Sequence, residues 1–357
     1  MGKFQSIQSL RFFAAALVFG LHWQSRMEGL SHRYGVAFPH IAFSGGLGVH
    51  IFFVISGFIM TWLTYERFGR PGVPMQFALD RITRIVPLYW IFTTIYVLLV
   101  ILGVRFGDAS QLIVPTLWQV LKSYLFVPYL NQAGNNFPVL GVGWTLNFEM
   151  MFYAILTGCL LLRPGAGLIT LFVAFAAIFA AGRLPWAPEV LRIYSNPYIF
   201  EFLAGVLLAL IRMRFGVLVP VRAHPLLLLV PIMVLTALHN TGESPWRVAN
   251  IPVALVLVAF AVLGRDQGDD AISRAFAAMG DWSYSLYLLH ELVLIAVGVA
   301  WHKTAGGHGL YLLAAVMILA SIGLSWTSFT YLEKPITRRL RRLIGTRSVA
   351  GRAAVTA

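Results

Sequence analysis

The stretch "SLRFFAAALVFGLHWQ", residues 9–24, is apolar enough for lipid, yet it carries Arg11 and His22 with ten residues between them. On one helix, at a rise of about 1.5 Å per residue, they lie about 16 Å apart and so at two different levels of a bilayer. A guanidinium suits an anion, and a neutral imidazole suits a proton taken from a hydroxyl. Two further segments carry polar groups in apolar surroundings: "GVHIFFVISGF" holds His50, and "GWTLNFEMMFY" holds Asn147, Glu149 and Tyr153. An ionisable residue at the centre of a span costs at least about 2.5–3.5 kcal/mol on insertion scales, so each needs a function or a partner. His22, His50 and Glu149 are all expected in the outer half of the membrane, where Glu149 would hold the His22 imidazole in its useful tautomer. Taken alone, this set fits acyl transfer and fits a proton-coupled transporter or flippase of a lipid-linked glycan equally well.

A second cluster sits in "FALDRITRIVPLYW", where Arg81 and Arg84 are three residues apart and share a helix face. Guanidinium groups so spaced can grip phosphates, and they can equally anchor a helix to lipid headgroups. Glu333 in "YLEKPITRR" is expected to pair with an arginine of this surface, Arg81 or Arg84. Glu201 is an apolar-segment carboxylate whose partner the sequence does not name. His290 and Glu291 in "SYSLYLLHELVL" read as groups for packing and helix–helix hydrogen bonds, and Cys159 as a small packing residue. The remaining histidines show no metal-ligand spacing. Thr145, Asn147 and Tyr153 are candidate donors for an oxyanion.

The elements that must position these residues follow from composition. Of 357 residues 59% are hydrophobic and only 11% charged, which marks an all-α polytopic membrane protein. Ten spans are predicted at about 7–24, 42–63, 84–104, 143–162, 165–181, 195–212, 224–239, 250–264, 282–301 and 309–332. The first run lacks a small-residue cleavage site and is expected to remain as a span. Residues 118–130, with Lys122 and Pro128, read as an interfacial or re-entrant piece, and Pro87 as a bend or helix start. On this alternation 18 of the 27 Lys and Arg residues fall on the side that holds both termini, which the positive-inside rule makes cytoplasmic. The net charge of +13 is thus explained by topology and anionic lipid, with no nucleic-acid partner. Residues 1–340 are expected to form one membrane domain, and 341–357 a basic tail that loses order towards its end.

Together the motifs resemble the membrane acyltransferase-3 family across nearly the whole chain. They are Arg11 and His22 in the first span, Arg81-x-x-Arg84 before the third, "FFVISGF", "GWTLNFEMMFY" with Glu149, "WSYSLYLLH", and "YLEKP" with Glu333, in that order. "FPVLGVGWTLNFEMMFY" is similar to the bacterial exopolysaccharide O-acetyltransferase branch. One departure is His50, where the family usually has an acidic residue; if that residue orients the histidine, the task passes to Glu149 or is done differently here. The resemblance implies acyl-CoA as co-substrate, with acetyl-CoA expected and no tightly bound cofactor or metal. It also implies a glycan or lipid-linked oligosaccharide acceptor, polysaccharide-biosynthesis proteins as partners and the bacterial inner membrane as location. Arg11, Arg81 and Arg84 would bind the donor, His22 would act as general base with Glu149, and His50, Asn147, Tyr153 and Glu333 would support them. A glycan polymerase or ligase is the remaining alternative.

Overall fold

A computed structural model describes residues 4–41, 43–105, 114–239, 249–305 and 308–344. In chain order the helices are α1 (Gln5–Tyr34), α2 (Gly45–Thr64), α3 (Val73–Arg105), α4 (Leu117–Tyr124), α5 (Trp144–Cys159), α6 (Pro164–Ala181) and α7 (Glu189–Tyr194). They continue as α8 (Ile199–Phe215), α9 (Pro225–His239), α10 (Asn250–Leu263), α11 (Ala271–Asp281), α12 (Ser283–Ala305), α13 (Leu310–Ser328) and α14 (Lys334–Ile344). The described chain is nearly all α; β1 (Val219–Arg222) and β2 (Gly264–Arg265) form one short parallel pair. Each predicted span coincides with a helix, and five helical stretches are long and apolar enough to cross a membrane by length and composition. The chain is a membrane protein.

The described chain groups into two compact units. One comprises Met60–Leu203 and the chain from Leu332; the other comprises the described residues of Gly2–Ile59 and Ala204–Tyr331. The latter is built on α1. Its first turn is capped from far along the chain, because the Gln5 and Ser6 backbone N–H groups donate to the Asp266 carboxylate at 3.0 and 2.9 Å. A carboxylate there satisfies orphan donors and complements the helix dipole. At the other end Gly35 adopts φ +63° and donates to Ser31 O, which stops the helix. Trp23, Met27 and Leu30 bury against Leu294 of α12 and Leu310, Leu313, Ala314 and Met317 of α13. Ala15 packs with Trp282 and Leu286. α11 starts where Asp270 accepts from the backbone N–H and the hydroxyl of Ser273, contacts that hold its carboxyl well below the usual carboxylate range.

In the other unit α3 and α5 run antiparallel. The Tyr89 ring fills the space where Gly143 lacks a side chain, Phe77 meets Tyr153 edge-on at 6.1 Å, and Gly69 N–H donates to Leu160 O. α3 begins at Val73 and continues through Pro87, so that proline neither starts nor ends the helix. α4 has eight residues, a Thr116–Gln119 capping box and an exposed apolar face of Leu117, Trp118 and Leu121, as an interfacial piece requires. The boundary expected at 340/341 falls inside α14, which packs along α3 with Arg341 Nε 3.3 Å from the fully buried Asp80 carboxylate. The rest of the expected tail, 345–357, lies outside the described residues.

A methyl group added at Gly280 would overlap the backbone of Gln8, so Gly280→Ala should destabilise the folded chain by about 1–3 kcal/mol. Gly323→Ala, at a helical position with open space around it among the described residues, should be neutral or slightly stabilising. Thermal unfolding in detergent measures both. Arg341→Ala leaves the Asp80 carboxylate buried without that cation and should cost about 3 kcal/mol, with part of the loss recovered when Asp80→Asn is added.

Candidate active site

His22 lies on α1, partly exposed and five turns along from the capped start. Its Nδ1 is 2.7 Å from Nε2 of His290, which belongs to α12 in the same unit and is fully buried. The two rings lie within 16° of parallel with centroids 5.0 Å apart. Phe19 presents itself edge-on to His290 at 6.0 Å, and Tyr287 lies 6.4 Å away. Twelve residues further along both helices Tyr34 OH meets His302 Nδ1 at 2.6 Å, and Arg33 donates to His302 Nε2 at 3.1 Å. Two equal steps show that α1 and α12 run in the same direction with one register over about 18 Å.

The tautomers follow from hydrogen-bond sense. His290 Nδ1 is 2.9 Å from the Leu286 carbonyl, which can only accept, so Nδ1 carries the hydrogen. A neutral ring has one donor and one acceptor; Nε2 of His290 is therefore the acceptor, and Nδ1 of His22 donates to it. The lone pair of His22 is left on Nε2. That is the arrangement a general base needs.

Sequence reasoning gives the task of holding His22 to Glu149 and reads His290 as a packing and helix–helix hydrogen-bonding residue; the structure shows such a bond, with His22 as the partner. In the structure His290 occupies the His22 nitrogen that such a carboxylate would engage. Because Tyr89 packs on Phe126 at 4.8 Å and Trp90 donates to Tyr124 O, the chain entering α5 folds back halfway along α3. Stepping from the Tyr89–Gly143 and Phe77–Tyr153 contacts puts Glu149 level with Arg81, on the α5 face it shares with Tyr153. The signal that pointed to His290 was present: two histidines in apolar helices each need a partner. What the sequence lacks is the register of α1 against α12.

The remaining predicted residues divide between the units. Arg11, on α1 below His22, donates to Gln8 Oε1 at 3.1 Å, and His50 of α2 is buried in the same unit. Arg81, Arg84, Asn147, Glu149, Tyr153 and Glu333 belong to the other unit. Arg81 is buried, and its Nε has no hydrogen-bond partner among the described residues; Arg84, one turn on, is partly exposed. Asn147 is buried with its Oδ1 likewise unpartnered among the described residues. Asp80, which sequence reasoning passed over beside the arginine pair, holds Arg341. Glu333 is buried at the end of a π-helical turn, Phe329–Glu333, that leads into α14.

A model of the acyltransferase-3 family, described as an acyltransferase domain, matches residues 4–329. The exopolysaccharide production protein ExoZ of Rhizobium meliloti is 34% identical over 312 residues, covering 87% of this chain and 95% of that protein. The acyltransferase MdmB of Streptomyces mycarofaciens is 27% identical, covering 95% of this chain and 93% of its own. The putative peptidoglycan O-acetyltransferase YrhL of Bacillus subtilis is 24% identical, covering 82% of this chain and 50% of its own. No solved structure matches.

Proposed function

The chain belongs to the acyltransferase-3 family, and from that premise we propose that it moves an acyl group, acetyl in the first instance, from acyl-CoA to a hydroxyl of an exopolysaccharide or lipid-linked glycan. Relatives named for exopolysaccharide production and for peptidoglycan O-acetylation support a carbohydrate acceptor and an oxygen ester. Both termini lie in the cytoplasm of a bacterial cell and the helices cross its inner membrane, so the donor arrives from inside.

The observation that carries this reading is the His22 lone pair at Nε2, set by the hydrogen bond at Nδ1. His22 Nε2 takes the proton of the acceptor hydroxyl as its oxygen attacks the thioester carbonyl carbon. The C–O bond forms, the C–S bond breaks, and the departing CoA thiolate receives the proton from Nε2. Arg11 and His22 are joined by one unbroken helix and separated by about 16 Å, a span that an extended pantetheine arm can follow from its anionic end to its thioester. Arg81 and Arg84 bind donor phosphates, and the Arg81 Nε–H, with no hydrogen-bond partner among the described residues, supports that role. Glu149 lies level with Arg81 on the α5 face it shares with Tyr153.

Purified chain in proteoliposomes, given radiolabelled acetyl-CoA and polysaccharide acceptor, should place label on the sugar. His22→Ala should lower the rate by about 10²–10⁴-fold. Label transfer at the wild-type rate in that variant would remove His22 from the chemistry. Replacing Arg81 and Arg84 together with alanine should weaken acetyl-CoA binding by at least about 10-fold in a protein of unchanged thermal stability; unchanged donor affinity would take the pair out of the donor site.

A further inference from the structure

We propose that His290 is a positioning residue for the acyl transfer: through its Nε2 it fixes His22 as the Nδ1–H tautomer and keeps the base nitrogen, Nε2, free. This rests on reading His22 as the base and adds what selects its reactive nitrogen.

Free histidine favours the opposite tautomer, with the hydrogen on Nε2, which would block the base. Here the choice is imposed by a chain of three groups. The Leu286 carbonyl fixes the hydrogen of His290 on Nδ1; His290 Nε2 must then accept; His22 Nδ1 must then donate. The arrangement with His290 as a cation is excluded by its surroundings. The ring is fully buried beside Phe19 and Tyr287, and its described hydrogen-bond partners are main-chain groups of Leu286 and Tyr287 and a second imidazole, none of them a carboxylate that would offset a charge.

The same burial determines where the proton rests during the reaction. When His22 accepts the hydroxyl proton at Nε2, its Nδ1–H bond to His290 becomes charge-assisted and strengthens. His290 cannot take that proton onward, because its own Nδ1 hydrogen is held by Leu286 and a second proton would create a buried cation. The charge stays on His22, beside the thiolate that must be protonated. A neutral acceptor therefore sets the tautomer without anchoring the imidazolium as a carboxylate would. The Tyr34–His302 contact twelve residues along keeps the helices in the register that the 2.7 Å bond requires.

Steady-state transfer from acetyl-CoA to polysaccharide, measured on the full chain in proteoliposomes, tests the assignment with His290→Ala, His290→Leu and His290→Gln. The Gln Oε1 can stand where Nε2 stands and accept from His22 Nδ1; Leu fills the space but cannot accept. Ala and Leu should lower kcat by about 10²-fold or more with KM for acetyl-CoA unchanged, and Gln should restore most of kcat. Thermal unfolding of each variant keeps loss of fold separate from loss of orientation. An active wild type whose kcat is untouched by Ala and Leu overturns the assignment, as does a Gln variant no faster than a Leu variant of equal stability. A wild-type chain that is folded but transfers no acyl group removes the underlying base reading instead.

Discussion

An imidazole in an apolar helix must spend its hydrogen-bonding groups on something nearby, and in this chain two of them spend theirs on each other. The His22–His290 bond is short, one partner is fully buried, and its direction is dictated by a main-chain carbonyl. Most of what surrounds it in that unit serves to keep α1 and α12 where the bond can form. Asp266 fixes the start of α1, the absent side chain of Gly280 lets α11 press against Gln8, and apolar packing from Trp23 to Leu30 joins α1 to α12 and α13. A site that depends on which ring nitrogen is protonated needs such rigidity, because rotating either ring exchanges donor for acceptor.

The other unit solves a different electrostatic problem. A charge buried there needs a counter-charge or a hydrogen-bond partner, because leaving it unpaired is costly. Asp80 is paired with Arg341 of α14, whereas the adjacent Arg81 keeps its Nε unpartnered among the described residues. The C-terminal basic helix is therefore tied to the segment carrying the arginine pair, which gives its Arg341 a structural task beyond sensing the membrane surface. Glu149 enters this neighbourhood through the register of α5 on α3 rather than through sequence proximity.

Much of this was legible in residues 9–24 and their counterparts. Apolar runs located a helix for every predicted span, and the isolated polar groups within them marked Arg11, His22, Arg81, Arg84 and Glu149 as positions that demand an explanation. What resisted was interhelical register. Hydropathy alone does not show that the chain folds back at Tyr89, which sets Glu149 level with Arg81. A helix–helix hydrogen bond is legible for His290, but its partner is not, because nothing in a single sequence aligns α12 with α1. Pro87 was overvalued as a boundary: the helix runs through it from Val73. The split at 340/341 followed charge, while the fold follows the amphipathic helix that Arg341 and Asp80 pin to α3.

The central claim is a statement about one hydrogen atom, so the most direct measurement is ¹⁵N NMR of the full chain labelled at histidine, with His22 signals assigned by their loss in His22→Ala. The account requires a pyrrole-type shift at His22 Nδ1 and a pyridine-type shift at Nε2 in the resting protein. The reverse pattern, with the hydrogen on Nε2, would contradict it.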